Sequence, residues 1–415
     1  MASAVIIGGG VIGLSVAWRC AQRGLTVTLA DPAPGTGATR AAAGMLTPVA
    51  EAAYAEKDLL TLGSESLRRW PGFAAELAGL TGEGTGFRHD GTLQVAYDAD
   101  DLAVIEEMHA LQEAFGVAAE RLTARQCRAA EPLLDPSVRG GLRTSGDGSV
   151  DPRRLTRALL AAAAQAGVTL ARQAVTEVLV TRGGTAPGGG TAGDRAAGVR
   201  LADGTEIPAD RVVLAAGWDS PAIGGLPPAT VPPVRPVKGQ ILRLRVPAGS
   251  PQLSLCVRGL VRGHPVYLVP RQDGELVVGA TQEEMGADTR VTAGGIWELL
   301  RDARTLVPGI TEFEFTEAVA GLRPGTPDNA PVLGPSGLPG LVLATGHFRG
   351  GVLLSPVTAE LIADYLVTGQ LPALAGPFTA ARFGPGSPSP GRPAGDGPVR
   401  PASQDGSTAV PGGRP

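Results

Sequence analysis

Residues 3–31 read SAVIIGGGVIGLSVAWRCAQRGLTVTLAD, and this stretch decides the fold class. Residues 3–9 form a short apolar run that favours a β-strand ending in a glycine turn. The apolar residues that follow recur at the spacing of one helix face: Leu14, Ala17, Trp18 and Ala21. Residues 25–31 predict a second strand that ends on Asp31. A strand, a helix and a strand in this order predict parallel strands, which require a layered α/β fold.

The glycines of this stretch form a G-x-G-x-x-G pattern between the first strand and the helix. Gly8 permits a tight turn, Gly10 lets a pyrophosphate approach the backbone, and Gly13 permits close packing of helix on strand. The helix N-terminus offers N–H groups and a partial positive charge to the phosphates. Asp31 is placed to accept ribose hydroxyls and disfavours NADP, but it does not separate NAD from FAD. The alternative is a glycine turn that binds no ligand.

Two further glycine turns favour a long cofactor. Residues 37–48, GATRAAAGMLTP, are mostly small and let backbone amides pass close to a flat group. Residues 211–220, RVVLAAGWDS, and 344–351, ATGHFRGG, each place glycines after an apolar run. Three such turns from distant parts of the chain suit FAD lying across the edge of a sheet.

The composition argues against several classes of protein. The 415 residues carry a net charge of -4, which disfavours nucleic acid as the main partner. Cys20, Cys127 and Cys256 are scattered, so neither a disulfide framework nor a metal site is predicted, and a reducing, cytoplasmic location is expected. No apolar run reaches the ~20 residues of a membrane span, and the N-terminus lacks the features of a signal peptide. We therefore expect no membrane association.

The rest of the chain predicts an α/β fold of two domains. Residues 58–80 are predicted to form a helix broken at Pro71, and 151–171 a helix with Asp151 as its N-cap. Between about 230 and 320 the pattern favours strands. We expect a Rossmann-like FAD-binding domain built from residues 1–85, 145–228 and 320–375, and a β-rich substrate domain built from residues 86–144 and 229–319.

Two segments are rich in glycine and proline. Residues 182–194 lie between two predicted strands and are expected to form a long flexible hairpin loop. Residues 376–415 contain few large apolar side chains, so a disordered C-terminal tail is expected.

The sequence resembles the D-amino-acid-oxidase-like (DAO) family of FAD-dependent oxidoreductases, and most closely its glycine oxidase branch of thiamine biosynthesis. The resemblance spans residues 4 to about 370 and is carried by these stretches: VIIGGGVIGLSVAWRCAQRG, GATRAAAGML, RPVKGQILRL, VYLVPRQDGELVVGAT, EAVAGLRPGTPDNAPVLGP and ATGHFRGGVLLSPVTAELIADYL. It implies a two-domain fold that binds FAD non-covalently. The cofactor contacts that it implies are Gly8, Gly10, Val11, Ile12, Gly13, Asp31, Ala38, Thr39, Ala43, Gly44, Met45, Val175, His347, Phe348, Arg349, Gly350, Gly351, Val352 and Leu353.

The resemblance also implies the substrate contacts. Arg323 in AGLRPGTPD matches the family arginine that pairs with the substrate carboxylate. Arg349 matches a second arginine near the substrate, and Tyr267 matches a tyrosine over the flavin. The chemistry agrees, because the planar guanidinium fork binds a carboxylate through two parallel hydrogen bonds. No residue is assigned as a catalytic acid or base.

Three positions depart from the family pattern. A family histidine is replaced by Pro265, with His264 one place too early, and a family methionine is replaced by Gln282. These changes affect the choice among small amine substrates. Gly321 stands where sarcosine oxidases carry a flavin-linking cysteine, which favours non-covalent FAD.

The implied activity is oxidation of the Cα–N bond of glycine or a similarly small amine. Hydride passes to flavin N5, O2 accepts the electrons as H2O2, and the imine yields glyoxylate and ammonia or passes to thiazole-synthesis proteins. The alternatives are a sarcosine or D-amino-acid oxidase or dehydrogenase, a non-catalytic FAD-binding assembly subunit, and an NAD-dependent dehydrogenase. A homo-oligomer is expected.

Overall fold

The computed structural model of the chain describes residues 2–48, 57–116, 118–183, 193–228 and 230–384. The α-helices are α1 Val11–Gln22, α2 Ala38–Ala41, α3 Lys57–Thr81, α4 Ala99–Ala114, α5 Ala124–Ala130, α6 Pro152–Gln165, α7 Ala293–Leu306 and α8 Gly351–Thr368. The strands are β1 Ser3–Ile7, β2 Thr26–Ala30, β3 Met45–Leu46, β4 Thr92–Ala96, β5 Glu120–Thr123, β6 Gly140–Thr144, β7 Gly148–Ser149, β8 Thr169–Ala171, β9 Val175–Thr181, β10 Arg195–Leu201, β11 Glu206–Pro208, β12 Arg211–Leu214, β13 Arg235–Arg245, β14 Cys256–Val261, β15 His264–Pro270, β16 Glu275–Gly279, β17 Glu314–Gly325, β18 Val332–Pro335 and β19 Leu341–Thr345.

A six-stranded sheet has β1 near its centre, in the order β18-β19-β12-β1-β2-β8. Its strands are parallel except for the antiparallel edge pair β18–β19. Alternate side chains of β1 face opposite sides. Ala4 and Ile6 join the core formed by α1, α3, α6 and α8, whereas Val5 and Ile7 pack with the small antiparallel sheet β9–β11. Both faces of the sheet are covered, which explains the uninterrupted apolar sequence of β1.

An eight-stranded sheet forms the second unit, in the order β17-β13-β16-β15-β14-β4-β6-β5. Helix α7 packs on one of its faces, with Leu299, Ala303 and Leu306 in the core. The two larger sheets draw on alternating segments of the chain, so the predicted α/β fold with a Rossmann-like unit and a β-rich unit is confirmed. Strand β17 stays in the eight-stranded sheet across the predicted domain boundary at residue 320 and ends at Gly325. The predicted domain boundaries stay a prediction.

Helix α3 runs without interruption from Lys57 to Thr81, so the predicted break at Pro71 is wrong. Tertiary contacts next to the proline hold the helix. Trp70 is fully buried, packs edge-on against Phe73, and donates from its indole Nε1 to the Leu353 carbonyl at 2.9 Å. This packing outweighs the one helical hydrogen bond that a proline removes.

Helix α6 follows its sequence signals closely. The Asp151 carboxylate accepts from the backbone N–H groups of Arg153 at 2.8 Å and Arg154 at 3.2 Å, which makes it the predicted N-cap. Helix α8 is long and apolar enough to span a membrane by length and composition. Most of it is buried, however, because it packs against α1 and α3 as a core helix of this fold.

The predicted tail begins later than residue 376. Residues Ala373–Phe378 and Ala380–Phe383 form two short 3₁₀ helices, and Phe378 is buried. Arg382 anchors this segment through an ion pair with Asp328, whose carboxylate lies 2.7 Å from the Arg382 Nε. The rest of the predicted tail, 385–415, lies outside the described residues, as do residues 184–192 of the predicted hairpin loop. The flanking strands β9 and β10 pair antiparallel, as expected of a hairpin.

Candidate functional site

A cavity of about 1990 Å³ is lined by residues of both the six-stranded and the eight-stranded sheet and of the segments next to them. Its lining includes the glycine turn after β1 and residues of β13, β15 and β17. One cavity therefore contains both the predicted nucleotide site and the predicted substrate contacts.

The glycines after β1 serve different structural needs. Gly8 has φ +102°, and a Cβ on it would lie 2.5 Å from the Ala215 carbonyl oxygen. A Cβ on Gly13 would lie 1.8 Å from the Gly8 carbonyl oxygen, so α1 can approach β1 only without a side chain there. Gly10 is different: its Cβ would meet only the Thr39 hydroxyl at 3.5 Å, and its open side faces the cavity.

Asp31 lines the cavity at the end of β2 and fixes the same turn. Its carboxylate accepts from the backbone N–H of Gly9 at 2.6 Å and of Ala33 at 2.7 Å. The Thr39 hydroxyl accepts from the Val11 N–H at the start of α1, at 3.0 Å. These contacts hold the glycine turn and the small-residue segment against each other in the absence of large side chains.

The second and third glycine turns meet through Thr345 at the end of β19. Its hydroxyl donates to the Gly217 carbonyl at 3.0 Å and shares a hydrogen bond with Ser220 at 2.7 Å. A Cβ on Gly217 would meet no atom within 4 Å, and this glycine lines the cavity. Burial raises the pKa of the neighbouring Asp219 carboxyl, which also lines the cavity.

Arg323 lies on β17 and crosses the neighbouring strand β13 where that strand has no side chain. A Cβ on Gly239 would lie 2.4 Å from the Arg323 guanidinium nitrogens. Arg323 Nη1 donates to the carbonyls of Lys238 at 3.3 Å and Thr281 at 3.2 Å. The guanidinium is thus seated on backbone at the wall of the cavity, and its direction is fixed by the sheet.

Tyr267 packs flat on its neighbouring strand in the same way. A Cβ on Gly279, its partner across β15 and β16, would lie 2.4 Å from the Tyr267 hydroxyl. The register of β14 against β15 pairs Tyr267 with Arg258, so both side chains stand on one face of the sheet. Arg258 lines the cavity and donates to the Thr47 hydroxyl at 3.3 Å. Arg258 has no sequence motif around it that predicts this position.

Arg349 stands on the loop before α8, at the rim of the cavity. It donates to the side-chain oxygen of Gln282, and its guanidinium lies 5.0 Å from the Phe348 ring centre. Phe348 itself has φ +45°, which turns the loop sharply at this point. Gln282, which replaces the family methionine, is therefore the residue that contacts Arg349.

His347 precedes this turn and has its side chain fully inside the protein. Its Nε2 shares a hydrogen bond of 3.1 Å with the Thr358 hydroxyl of α8. Burial lowers the pKa of the His347 imidazole to about 3, so the ring is neutral at ordinary pH. It stabilises the fold of the loop and carries no charge toward a ligand.

Residues 3–365 of the chain match the family described as DAO, FAD dependent oxidoreductase. The chain belongs to the DAO family. Its cofactor is therefore FAD, and it is an FAD-dependent oxidoreductase.

Several named proteins align along most of this chain. It is 36% identical over 379 residues to the bifunctional protein ThiO/ThiG of Trichormus variabilis, covering 91% of this chain and 55% of that relative. It is 32% identical over 380 residues to the glycine oxidase of Geobacillus kaustophilus, covering 91% and 96% of the two chains. The crystal structure of glycine oxidase from Geobacillus kaustophilus superposes with a TM-score of 0.80 at 31% identity, covering 92% and 99%. The chain spans about half the length of the bifunctional relatives that it matches.

The cavity has the features that an FAD molecule needs. Gly10, Gly37 and Gly217 all line it, and a Cβ on any of them would meet no protein atom closer than 3.5 Å. Neither packing nor a left-handed backbone explains Gly10 and Gly37, which have φ -72° and -75°, whereas Gly217, with φ +59°, also suits glycine for its backbone conformation. The residues of this DAO-family member therefore fit an extended dinucleotide that passes three glycine turns.

The structure brings together nearly all the residues that the sequence singled out. Every predicted cofactor and substrate contact lines the cavity except Gly13, which lies behind the turn in the packing of α1 on β1. Their roles toward FAD and substrate stay predictions. None of the three cysteines, all of which the structure describes, lines the cavity. Among the described residues no group of three His, Cys, Asp or Glu side chains could hold a metal ion.

The low pKa of His347 predicts a pH dependence of stability. Below pH about 6.5 the unfolded chain binds a proton on this residue, whereas the folded chain does so only near pH 3. The free energy of unfolding should therefore fall as the pH drops from 6.5, by at most about 1.4 kcal/mol per pH unit from this group. Above pH 6.5 its contribution is constant.

Denaturant unfolding of the apoprotein at several pH values between 7.5 and 4.5 measures this slope. The variant His347→Gln keeps an amide near Thr358 but cannot titrate, so its stability should depend less on pH in this range. Equal slopes in the two proteins would contradict the assignment.

Proposed function

We propose that this protein oxidises the Cα–N bond of glycine, using FAD as its cofactor and O2 as its electron acceptor. The observation that carries the proposal is the seating of Arg323 on the backbone of β13 and of the segment that follows β16, in the same cavity as the glycine turns. A small amino acid offers little besides its carboxylate, so its orientation depends on such a fixed fork. The similarity to proteins named glycine oxidase supports the same substrate.

The residues of the chain orient the substrate. Arg323 holds the carboxylate, and the Tyr267 ring, packed on Gly279, limits the space beside it. Bound FAD supplies the acceptor for the hydride from Cα. Of the described residues that line the cavity, His347 is buried and neutral, so we assign it no role as an acid or a base. Hydride transfer from a neutral amine needs no such group.

The rim of the cavity sets the preference among small amines. The Gln282 amide and Arg349 are hydrogen-bonded to each other there, where the family pattern has a methionine. This polar contact favours a substrate with a short side chain. A larger apolar group would break the hydrogen bond between Gln282 and Arg349 or cover the two polar side chains. Sarcosine and small D-amino acids are the runner-up substrates.

The imine product gives glyoxylate and ammonia on hydrolysis. The similarity to relatives named bifunctional protein ThiO/ThiG supports a second fate, in which the imine passes to a thiazole-forming protein. We propose this hand-off as the metabolic setting of the reaction.

FAD is held non-covalently in this proposal. Gly321, at the position of the family's linking cysteine, lines the cavity, and a Cβ on it would lie 2.5 Å from the Ala41 side chain. The three cysteines are free and buried, which supports a reducing compartment such as the cytoplasm.

Because the proposed binding of FAD is non-covalent, denaturing the protein with acid should release all of its flavin into the supernatant.

Oxygen consumption and peroxide formation with the FAD-loaded protein test the proposal. The substrate panel is glycine, sarcosine, D-alanine and D-proline, and the apoprotein serves as the control. We expect glycine to give the highest kcat/KM. A higher kcat/KM with sarcosine or a D-amino acid would favour the runner-up substrates, and no peroxide with any of the four would contradict an oxidase.

A further inference from the structure

Arg271 is a buried arginine for which the sequence predicts no role. It follows β15 at the turn of the β15–β16 hairpin, where its N–H donates to the Glu275 carbonyl at 2.8 Å. The residue is 4% exposed, and burial lowers the pKa of its guanidinium. Among the described residues no carboxylate forms an ion pair with it, although Asp151 and Glu275 favour its charge at longer range, and its two Nη groups are hydrogen-bonded to the backbone.

The guanidinium of Arg271 joins Ala43, which lines the cavity, to Val150, which does not. Nη1 donates to the Val150 carbonyl at 2.9 Å, and Nη2 donates to the Ala43 carbonyl. Both acceptors are backbone atoms, and neither belongs to the sheet that carries Arg271. The fork therefore reaches from the β-rich unit into the unit that carries the glycine turns.

These carbonyls lie at the end of a two-stranded ladder. Strands β3 and β7 pair Met45 with Ser149, and the Val150 N–H donates to the Gly44 carbonyl at 2.8 Å. Arg271 donates to the carbonyls of Val150 and Ala43, which lie next to this ladder. It therefore links the two segments at the end of the ladder next to Ala43. The bridge fixes a segment, residues 43–45, that lines the cavity.

Gly44 makes the position of residues 43–45 sensitive to shifts of the neighbouring backbone. Its φ is +76°, and a Cβ on it would lie 2.0 Å from the Val150 carbonyl oxygen. The backbone at Gly44 is thus packed against Val150 without any intervening side chain. A shift of Val150 or Ala43 would move the wall of the cavity directly.

We propose that Arg271 is a positioning residue, which holds residues 43–45 at a fixed distance from the bound flavin. The inference rests on the proposed placement of FAD along this wall. Arginine suits the task because one planar fork reaches both carbonyls, whereas a lysine ammonium on a flexible stem cannot fix both.

The experiment compares Arg271→Lys and Arg271→Met with the same changes at Arg88. Arg88 is the control because it also donates to two backbone carbonyls, those of Pro270 at 3.1 Å and Ser254 at 2.7 Å, neither of which lines the cavity, and it differs from Arg271 in its additional ion pair with Asp90. The measurements are the Kd for FAD, the visible absorption spectrum of the bound flavin, and the thermal unfolding of the apoprotein.

We expect the Arg271 variants to raise the Kd for FAD by about tenfold, a change of about 1.4 kcal/mol, and to alter the flavin spectrum. The Arg88 variants should lower the unfolding temperature but leave the Kd within about twofold. If Arg271→Met does not fold, Arg271→Lys decides, and its kcat with glycine should fall while its KM stays unchanged.

An unchanged Kd and spectrum in Arg271→Lys, or an equal change in the Arg88 variants, would overturn the proposal and leave a structural role. The flavin readouts need no substrate. Their outcome is therefore independent of whether glycine is the substrate.

Discussion

Replacing Arg323 by alanine should raise the KM for glycine and lower kcat/KM by about 10²- to 10³-fold. The lost interaction is a pair of charge-assisted hydrogen bonds to the substrate carboxylate, worth about 3 to 4 kcal/mol together. The guanidinium is held on the carbonyls of Lys238 and Thr281, so the alanine variant loses a group whose position is fixed by the backbone. Steady-state oxygen consumption over a range of glycine concentrations measures the effect.

The binding of FAD is the internal control for this variant. The Arg323 contacts described in the structure are the carbonyls of Lys238 in β13 and of Thr281 after β16, both away from the glycine turn that follows β1, so the Kd for FAD should change little. Arg245→Ala is the matched substitution on the same sheet, because Arg245 donates to the Asp273 carbonyl and lies outside the cavity. A KM for glycine that is equal in Arg323→Ala and Arg245→Ala would refute the role of Arg323.

Arg349→Ala separates the two arginines that the sequence singled out. Arg349 is tied to Gln282 at the rim, whereas Arg323 is seated on the sheet. We expect the Arg349 variant to raise the KM for glycine by less than the Arg323 variant does. The reverse order would place the carboxylate at the rim.

The fold near the N-terminus is predictable because its determinants are local. The patterns over residues 3–31 predict two strands and a helix, and β1, α1 and β2 occupy Ser3–Ile7, Val11–Gln22 and Thr26–Ala30. Apolar spacing and glycine turns act within a few residues of each other, so they survive in any tertiary context that buries them. The same holds for the Asp151 cap of α6.

Features that depend on distant partners were missed or wrong. Helix α3 continues past Pro71 because Trp70 binds the carbonyl of Leu353, a residue of α8. The segment after residue 376 is ordered because Arg382 meets Asp328. Neither partner is recognisable from local composition, which is where the predictions of a break and of disorder came from.

Arg258 shows what limited the prediction of the site. In CVRGLV an arginine occupies the inward alternation of an apolar strand, which is a signal that a charged group is needed there. Its place beside Tyr267, however, depends on the register of β14 against β15, which the sequence does not specify. The residues of the glycine turns were found because their spacing alone has a physical meaning.

Replacing Gly10 by valine should raise the Kd for FAD by about a hundredfold or more, an effect of about 3 kcal/mol, with little change in the stability of the apoprotein. Gly10 has φ -72° and ψ 179°, a conformation open to any residue. Its Cβ would meet only the Thr39 hydroxyl at 3.5 Å, so the added methyl groups must occupy the cavity. Fluorescence titration of the apoprotein with FAD gives the Kd, and thermal unfolding without FAD gives the stability.

Gly13 supplies the contrast, since it belongs to the same motif but lies outside the cavity. Gly13→Ala would bring a methyl group within 1.8 Å of the Gly8 carbonyl oxygen, so it should destabilise the apoprotein itself by about 1–3 kcal/mol or more. Gly72→Ala on α3, whose Cβ meets nothing within 4 Å, controls for the loss of a glycine. If Gly10→Val bound FAD as tightly as the parent protein, the pyrophosphate could not lie against this turn. The motif would then describe only the packing of α1 on β1.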